Sequence, residues 1–130
     1  GNKITVIYTR NHGDIPFLAT NYVLATGSFF SGGLEATNDR ICEPLFGADV
    51  QYVEDRGEWY DRDLFKPQAY ESFGVKTDES LHAMRQGQAV ENLYVAGATL
   101  PGFNAVKEGC GAGVSILTAL DVAERILSKK

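Results

Sequence analysis

The sequence predicts an α/β fold, and three observations carry that prediction. Two short unbroken apolar runs, Tyr22–Ala25 and Leu93–Ala96, each lead into a glycine, Gly27 and Gly97. Continuous apolarity over so few residues fits strands buried on both faces, as in a parallel sheet. A helical repeat then runs from about Gly113 to about Ser128. Its apolar positions Val114, Leu117, Leu120, Val122, Ala123, Ile126 and Leu127 leave a polar stripe at Thr118, Asp121, Arg125 and Ser128. As an isolated piece the same elements amount to α+β.

Taken in order, residues 1–33 form a strand-rich segment. Ile4–Thr9 is β-branched and aromatic, Asn11-His12-Gly13-Asp14 signals a turn, and Ile15–Ala19 is a second short strand that Pro16 places at an edge. Tyr22–Ala25 follows and ends in the turn Thr26-Gly27-Ser28. Residues 34–91 read as an irregular middle segment. Seven of the ten residues from Glu54 to Asp63 are charged, which marks a solvated loop, and the aromatics Trp59, Tyr60, Phe65, Tyr70 and Phe73 keep no firm period. Phe73–Asp78 reads as a short strand and turn. Residues 92–130 hold Asn92 as a turn residue, the strand Leu93–Ala96, a glycine-rich loop and the helix. Arg125, Lys129 and Lys130 at the helix end complement its dipole. All three segments belong to one domain fragment.

Bulk properties exclude several classes. The net charge of −5, with no basic cluster, argues against a nucleic-acid partner. No apolar run approaches the roughly 20 residues that cross a bilayer, and no signal-peptide pattern opens the chain. Cys42 and Cys110 lack a C-x-x-C or metal-type spacing, so no metal ligand is assigned and a cytoplasmic location is expected.

Two constellations carry chemistry. Gly27, just past a buried strand, lets backbone approach a flat or phosphorylated ligand, and ligands gather at the carboxyl ends of such strands. The second runs from Leu93–Gly97 to Gly109-Cys110-Gly111-Ala112-Gly113-Val114. Its first helical turn has no bulky or charged side chain, so unpaired N–H groups at the positive helix end face a phosphate or a polarised carbonyl. Close helix-on-strand packing is the competing explanation for these glycines. No G-x-G-x-x-G follows an N-terminal strand, so the parts of a nucleotide-binding fold stand here without its leading element.

Asn21–Leu34 resembles the strand and Ala-Thr-Gly turn of flavoproteins with two dinucleotide-binding domains. Ser28-Phe29-Phe30-Ser31, Glu43-Pro44-Leu45-Phe46-Gly47, Phe73–Asp78 and Asn92–Ala98 with Gly102-Phe103 and Gly109–Val114 are more particular. In that order they resemble the B-type subunits of anaerobic glycerol-3-phosphate dehydrogenases. The resemblance implies a partial FAD/NAD(P)-binding Rossmann-like fold that lacks its N-terminal G-x-G-x-x-G unit. It implies FMN or FAD as cofactor and oxidation of glycerol 3-phosphate to dihydroxyacetone phosphate, with quinone as the eventual electron acceptor. The implied partners are the catalytic, flavin-containing subunit of the complex and its iron–sulfur, membrane-attaching subunit. The implied location is cytoplasmic and peripheral on the membrane. Thr26, Gly27 and Ser28 would line the nucleotide side. Gly97, Ala98, Gly109, Cys110, Gly111, Ala112 and Gly113 would lie along the flavin or its phosphate.

Departures from the family are visible. Ala98 stands where related flavoproteins carry an acid for the cofactor's hydroxyls, and Asn104-Ala105 replaces an Asp-Pro. His12 and His82 read as isolated, Lys107 as a solvated loop lysine, and Cys110 as a packed small residue. No catalytic residue is assigned, and the piece alone is expected to be inert. Exposed apolar faces make self-association an expectation. Another flavoprotein oxidoreductase of fumarate-reductase-like type, or a non-catalytic interaction module, stays open as an alternative.

Overall fold

The computed structural model describes residues 2–102 and 111–129. Seven strands and one long helix appear among them: β1 (Tyr22–Leu24), β2 (Glu35–Ala36), β3 (Ile41–Cys42), β4 (Val50–Gln51), β5 (Gly74–Val75), β6 (His82–Arg85), β7 (Gln88–Val95) and α1 (Gly111–Ser128). The chain is therefore mixed α/β.

The main sheet has the order β1-β7-β6. β1 runs parallel to β7, with Tyr22 opposite Leu93 and Leu24 opposite Val95. β6 pairs antiparallel with β7. Two minor ribbons, β2-β3 and β4-β5, flank it.

β7 alternates as a fully covered strand must. Leu93 and Val95 enter one core with Leu24, Leu34, Val50, Trp59, Phe73 and Val75. Tyr94 and Ala96 point the other way, against Val122 of α1. The expected burial on both faces thus holds for Leu93–Ala96. It fails for β1, where Leu24 is buried but Val23 is 49% exposed. Helix α1 covers Tyr94 and leaves its β1 neighbour Val23 open.

The helix begins at Gly111 and docks differently from its sequence pattern. Val122 is buried, Val114, Thr118 and Ile126 are half-buried, and Leu117, Leu120 and Leu127 face outward. Thr118, part of the polar stripe in the sequence, lies on the docking side because its hydroxyl accepts a backbone bond there.

The N-terminal strands reduce to one antiparallel bridge between Ile7 and Phe17. Tyr8, Ile15, Phe17 and Leu18 are all exposed, so no buried face extends the pairing, and an isolated ribbon is marginal. Asn92 lies inside β7 rather than in a turn. Its buried amide holds the N-terminal segment by accepting from the Ile4 N–H (2.8 Å) and donating to the Ile4 carbonyl (2.8 Å).

The middle segment is more ordered than its composition suggests. β7 starts at Gln88, joined to β6 by Gln86-Gly87, both at positive φ (51° and 76°) as in a type I′ hairpin turn. The Asp49 carboxylate accepts from both turn N–H groups, at 2.9 and 2.8 Å. Glu43 is 2% exposed and accepts from the N–H groups of Leu45, Phe46 and Ala48, so it organises the whole Glu43–Gly47 motif. These amide bonds replace the water that a buried carboxylate would lose.

Candidate nucleotide site and a side-chain array

Parallel pairing of β1 with β7 brings their carboxyl ends together, and the sequence-predicted site residues follow from that. After β1 the chain turns sharply at Gly27, whose φ of +78° suits glycine. The Gly27 N–H donates to the Thr99 hydroxyl (2.9 Å), which joins the β1 turn to the turn after β7. Ser31 donates to the Thr26 carbonyl (2.8 Å), and the Gly33 N–H donates to the Ser28 carbonyl (2.9 Å). Gly33 sits so near that a Cβ there would strike the Gly27 carbonyl. The Gly97 N–H donates to Thr118 Oγ1 (2.8 Å), which clamps the end of β7 to α1.

These bonds divide the site. The amides of Gly27 and Gly97 are satisfied within the protein, so those residues offer close approach and carbonyls rather than donors. At 111–113 it is the surface that is accessible. Gly111 is half-buried, Ala112 and Gly113 are exposed, and a Cβ at Gly113 would meet nothing within 4 Å. Gly109 and Cys110 lie outside the described residues, as do Phe103, Asn104, Ala105 and Lys107.

A flavin nucleotide fits what is present. The helix start offers small residues and free space beside it. At the β1 turn, the buried Thr26 Oγ1 has no hydrogen-bond partner among the described residues, an uncompensated group that favours a polar neighbour. The turns Thr26–Ser28, Gly97–Thr99 and Gly111–Gly113 contain no carboxylate, imidazole or amine. Through its described residues this end of the molecule can hold a ligand by backbone and hydroxyls, and among those turn residues there is no proton-transfer group.

The other end is built from side chains. His82, isolated in the sequence, has Asp78 four residues before it, and the Asp78 Oδ2 lies 2.8 Å from His82 Nδ1. Asp78 Oδ1 accepts from the backbone N–H groups of Ser80 and His82, both at 2.9 Å. His82 Nε2 lies 3.1 Å from Lys129 Nζ. The i, i+4 spacing was the signal available in the sequence, although Leu81 at φ +65° shows that a tight turn, not a helix, brings the pair together. Lys129 reaches this place because α1 spans 18 residues from the glycine-rich end to this one. Among the described residues no cluster of His, Cys, Asp and Glu could hold a metal, and no helix is long and apolar enough to cross a membrane.

The parallel β1-β7 pair, with glycine turns at its carboxyl end and a following helix, is an arrangement that suits a nucleotide. The FAD binding domain family matches residues 1–114, which include both strand ends and the start of α1, and the chain belongs to that family. The flavin read from the sequence is therefore borne out as the cofactor class.

Within that family, the chain is 51% identical over 128 residues to the B-type subunit of the anaerobic glycerol-3-phosphate dehydrogenase of Yersinia enterocolitica, covering 98% of this chain and 30% of the relative. The same-named protein of Pectobacterium atrosepticum is 50% identical over 123 residues (95% and 29%). That of Aliivibrio fischeri is 43% identical over 129 residues (98% and 28%). The resemblance read from the sequence thus holds along nearly the whole chain. The chain spans about a third of the length of these curated relatives. No solved structure matches it.

Proposed function

We propose that this chain is the flavin-holding C-terminal portion of one subunit of a glycerol-3-phosphate:quinone oxidoreductase. On this reading it is a partial Rossmann-like fold, completed by a leading G-x-G-x-x-G unit elsewhere in the full-length protein. The bare helix start at 111–113, beside the paired ends of β1 and β7, is the observation that carries this reading. Thr26, Gly27 and Ser28 would face the nucleotide. Gly97, Ala98 and the run 109–113 would lie along the isoalloxazine or its phosphate. The flavin, FMN or FAD, accepts the reducing equivalents when glycerol 3-phosphate becomes dihydroxyacetone phosphate. The chain's part is to orient that ring, exclude water behind it through the Thr99–Gly27 and Thr118–Gly97 bonds, and leave one face open.

Among the described residues, the turns of the glycine end carry no acid or base. The group that accepts the alcohol proton then lies in the remainder of the full-length protein or in the catalytic partner, and the piece alone is inert. Electrons pass toward quinone through the iron–sulfur partner, which holds the complex on the cytoplasmic membrane from the cytoplasmic side.

The test is to purify the full-length protein, first without and then with its two partners, and to record the visible spectrum and the bleaching by glycerol 3-phosphate. Expected are a yellow protein in both preparations and bleaching in the assembled complex only. A colourless protein that takes up neither FMN nor FAD would overturn the reading.

A further inference from the structure

The Asp78–His82–Lys129 array has the arrangement of an orienting carboxylate, a base and a nucleophile, and it lies far from the glycine-rich end. An ionised carboxylate only accepts, so His82 Nδ1 must carry the hydrogen given to Asp78 Oδ2. Nε2 lies 3.1 Å from the Lys129 ammonium, which only donates, so in this contact Nε2 is the acceptor. Burial acts to raise the Asp78 carboxyl. Hydrogen bonds from the His82 side chain and backbone and from the Ser80 N–H outweigh it and hold the group below its ordinary range. Asp78 therefore stays ionised and fixes the tautomer.

The groups facing the imidazole are Asp78 from the preceding turn, Tyr94 of β7 at a ring separation of 4.6 Å, and Lys129 of α1. Lys129 Nζ also lies 5.3 Å from the Tyr94 ring centre. The three residues open onto a cavity of about 750 Å³, whose wall also holds Lys3, Asn21 and Glu91. Lys3 is paired with Glu91 at 3.1 Å, which leaves Lys129 as the cavity's amine in contact with a base.

We propose that Lys129 is a reactive amine that is acylated by small acyl phosphates, with His82 as its general base and Asp78 as the residue positioning that base. Lys129 first yields one proton to solvent through His82. The free Nζ attacks the acyl carbon, and an N–C bond forms while the C–O bond to phosphate breaks. His82 Nε2 takes the second nitrogen proton and passes it to the departing phosphate. No oxidant or reductant is needed, and the lysine loses its positive charge. Nothing in this chemistry depends on flavin, so its failure would leave the functional reading above untouched.

The test uses acetyl phosphate as donor and site-resolved mass spectrometry of the whole chain. In the unaltered protein Lys129 should gain acetyl groups about tenfold faster than the solvent-facing Lys66 and the loop-borne Lys76. His82→Gln should bring Lys129 down to their level while theirs stay unchanged, and Asp78→Asn should fall between. Equal labelling of the three lysines in the unaltered protein would overturn the proposal without any variant. Full labelling of Lys129 in a folded His82→Gln protein would do the same.

Discussion

The two ends of the β7–α1 unit are made from different materials. At the carboxyl end of β7, positions 97, 98 and 111–113 are glycine or alanine, and their bonds run through backbone and hydroxyls. At the other end of α1, an aspartate, a histidine, a lysine and a tyrosine meet within hydrogen-bond or ring-contact distance. A cofactor that brings its own chemistry needs shape and bare backbone. Chemistry carried by the chain needs side chains held by other side chains. One helix serves both requirements because it is long enough to reach from one end to the other.

Substitutions can break this contrast at either end. The largest effect is expected at Gly33. A Cβ there would press on the Gly27 carbonyl and the Thr26 backbone, neither of which can move without opening the β1 turn. Gly33→Ala should cost about 3 kcal/mol in urea unfolding, since overpacking against backbone leaves no flexible neighbour to yield. Thr118→Val comes next. It keeps the side-chain shape but leaves the part-buried Gly97 N–H without its acceptor, at a cost of roughly 1–3 kcal/mol on the same assay.

The side-chain end should respond to acid. The Asp78 carboxyl is held below its reference value of 3.8, so it contributes stability above that pH and loses it as pH falls through the lower folded value. Asp78→Asn should flatten this acid limb of the stability–pH curve by lowering stability at neutral pH, where the carboxylate is ionised, and leave the most acidic region less affected. A limb of unchanged steepness would contradict the assignment. The smallest effect belongs to the exposed Lys3–Glu91 pair, where Lys3→Ala should leave the thermal midpoint unmoved within error.

What the sequence disclosed follows the same division. Leu93–Ala96 was legible because a strand covered on both faces must be apolar throughout, and the helix that follows was legible from its apolar period despite Gly111 and Gly113 in its first turn. The β6–β7 hairpin was not, since Gln86-Gly87 lacks the usual Asn-Gly or Asp-Gly marker and its geometry is fixed instead by the distant Asp49. The docking role of Thr118 was hidden because it lies in one tertiary bond to Gly97, which no period in the helix reveals. The Asp78–His82 spacing was present but silent without Lys129, 47 residues further on.

The central claim is that the open helix start at Gly113 is kept bare for a flavin. Gly113→Val in the full-length protein tests it most directly, because the position has free space for a Cβ within this chain. Folding stability should stay level or rise by a few tenths of a kcal/mol, as glycine is the poorer helix former. Flavin affinity, followed by visible absorbance after gel filtration, should fall sharply. A folded Gly113→Val protein that keeps its full complement of flavin would show that the bare helix start serves some other purpose.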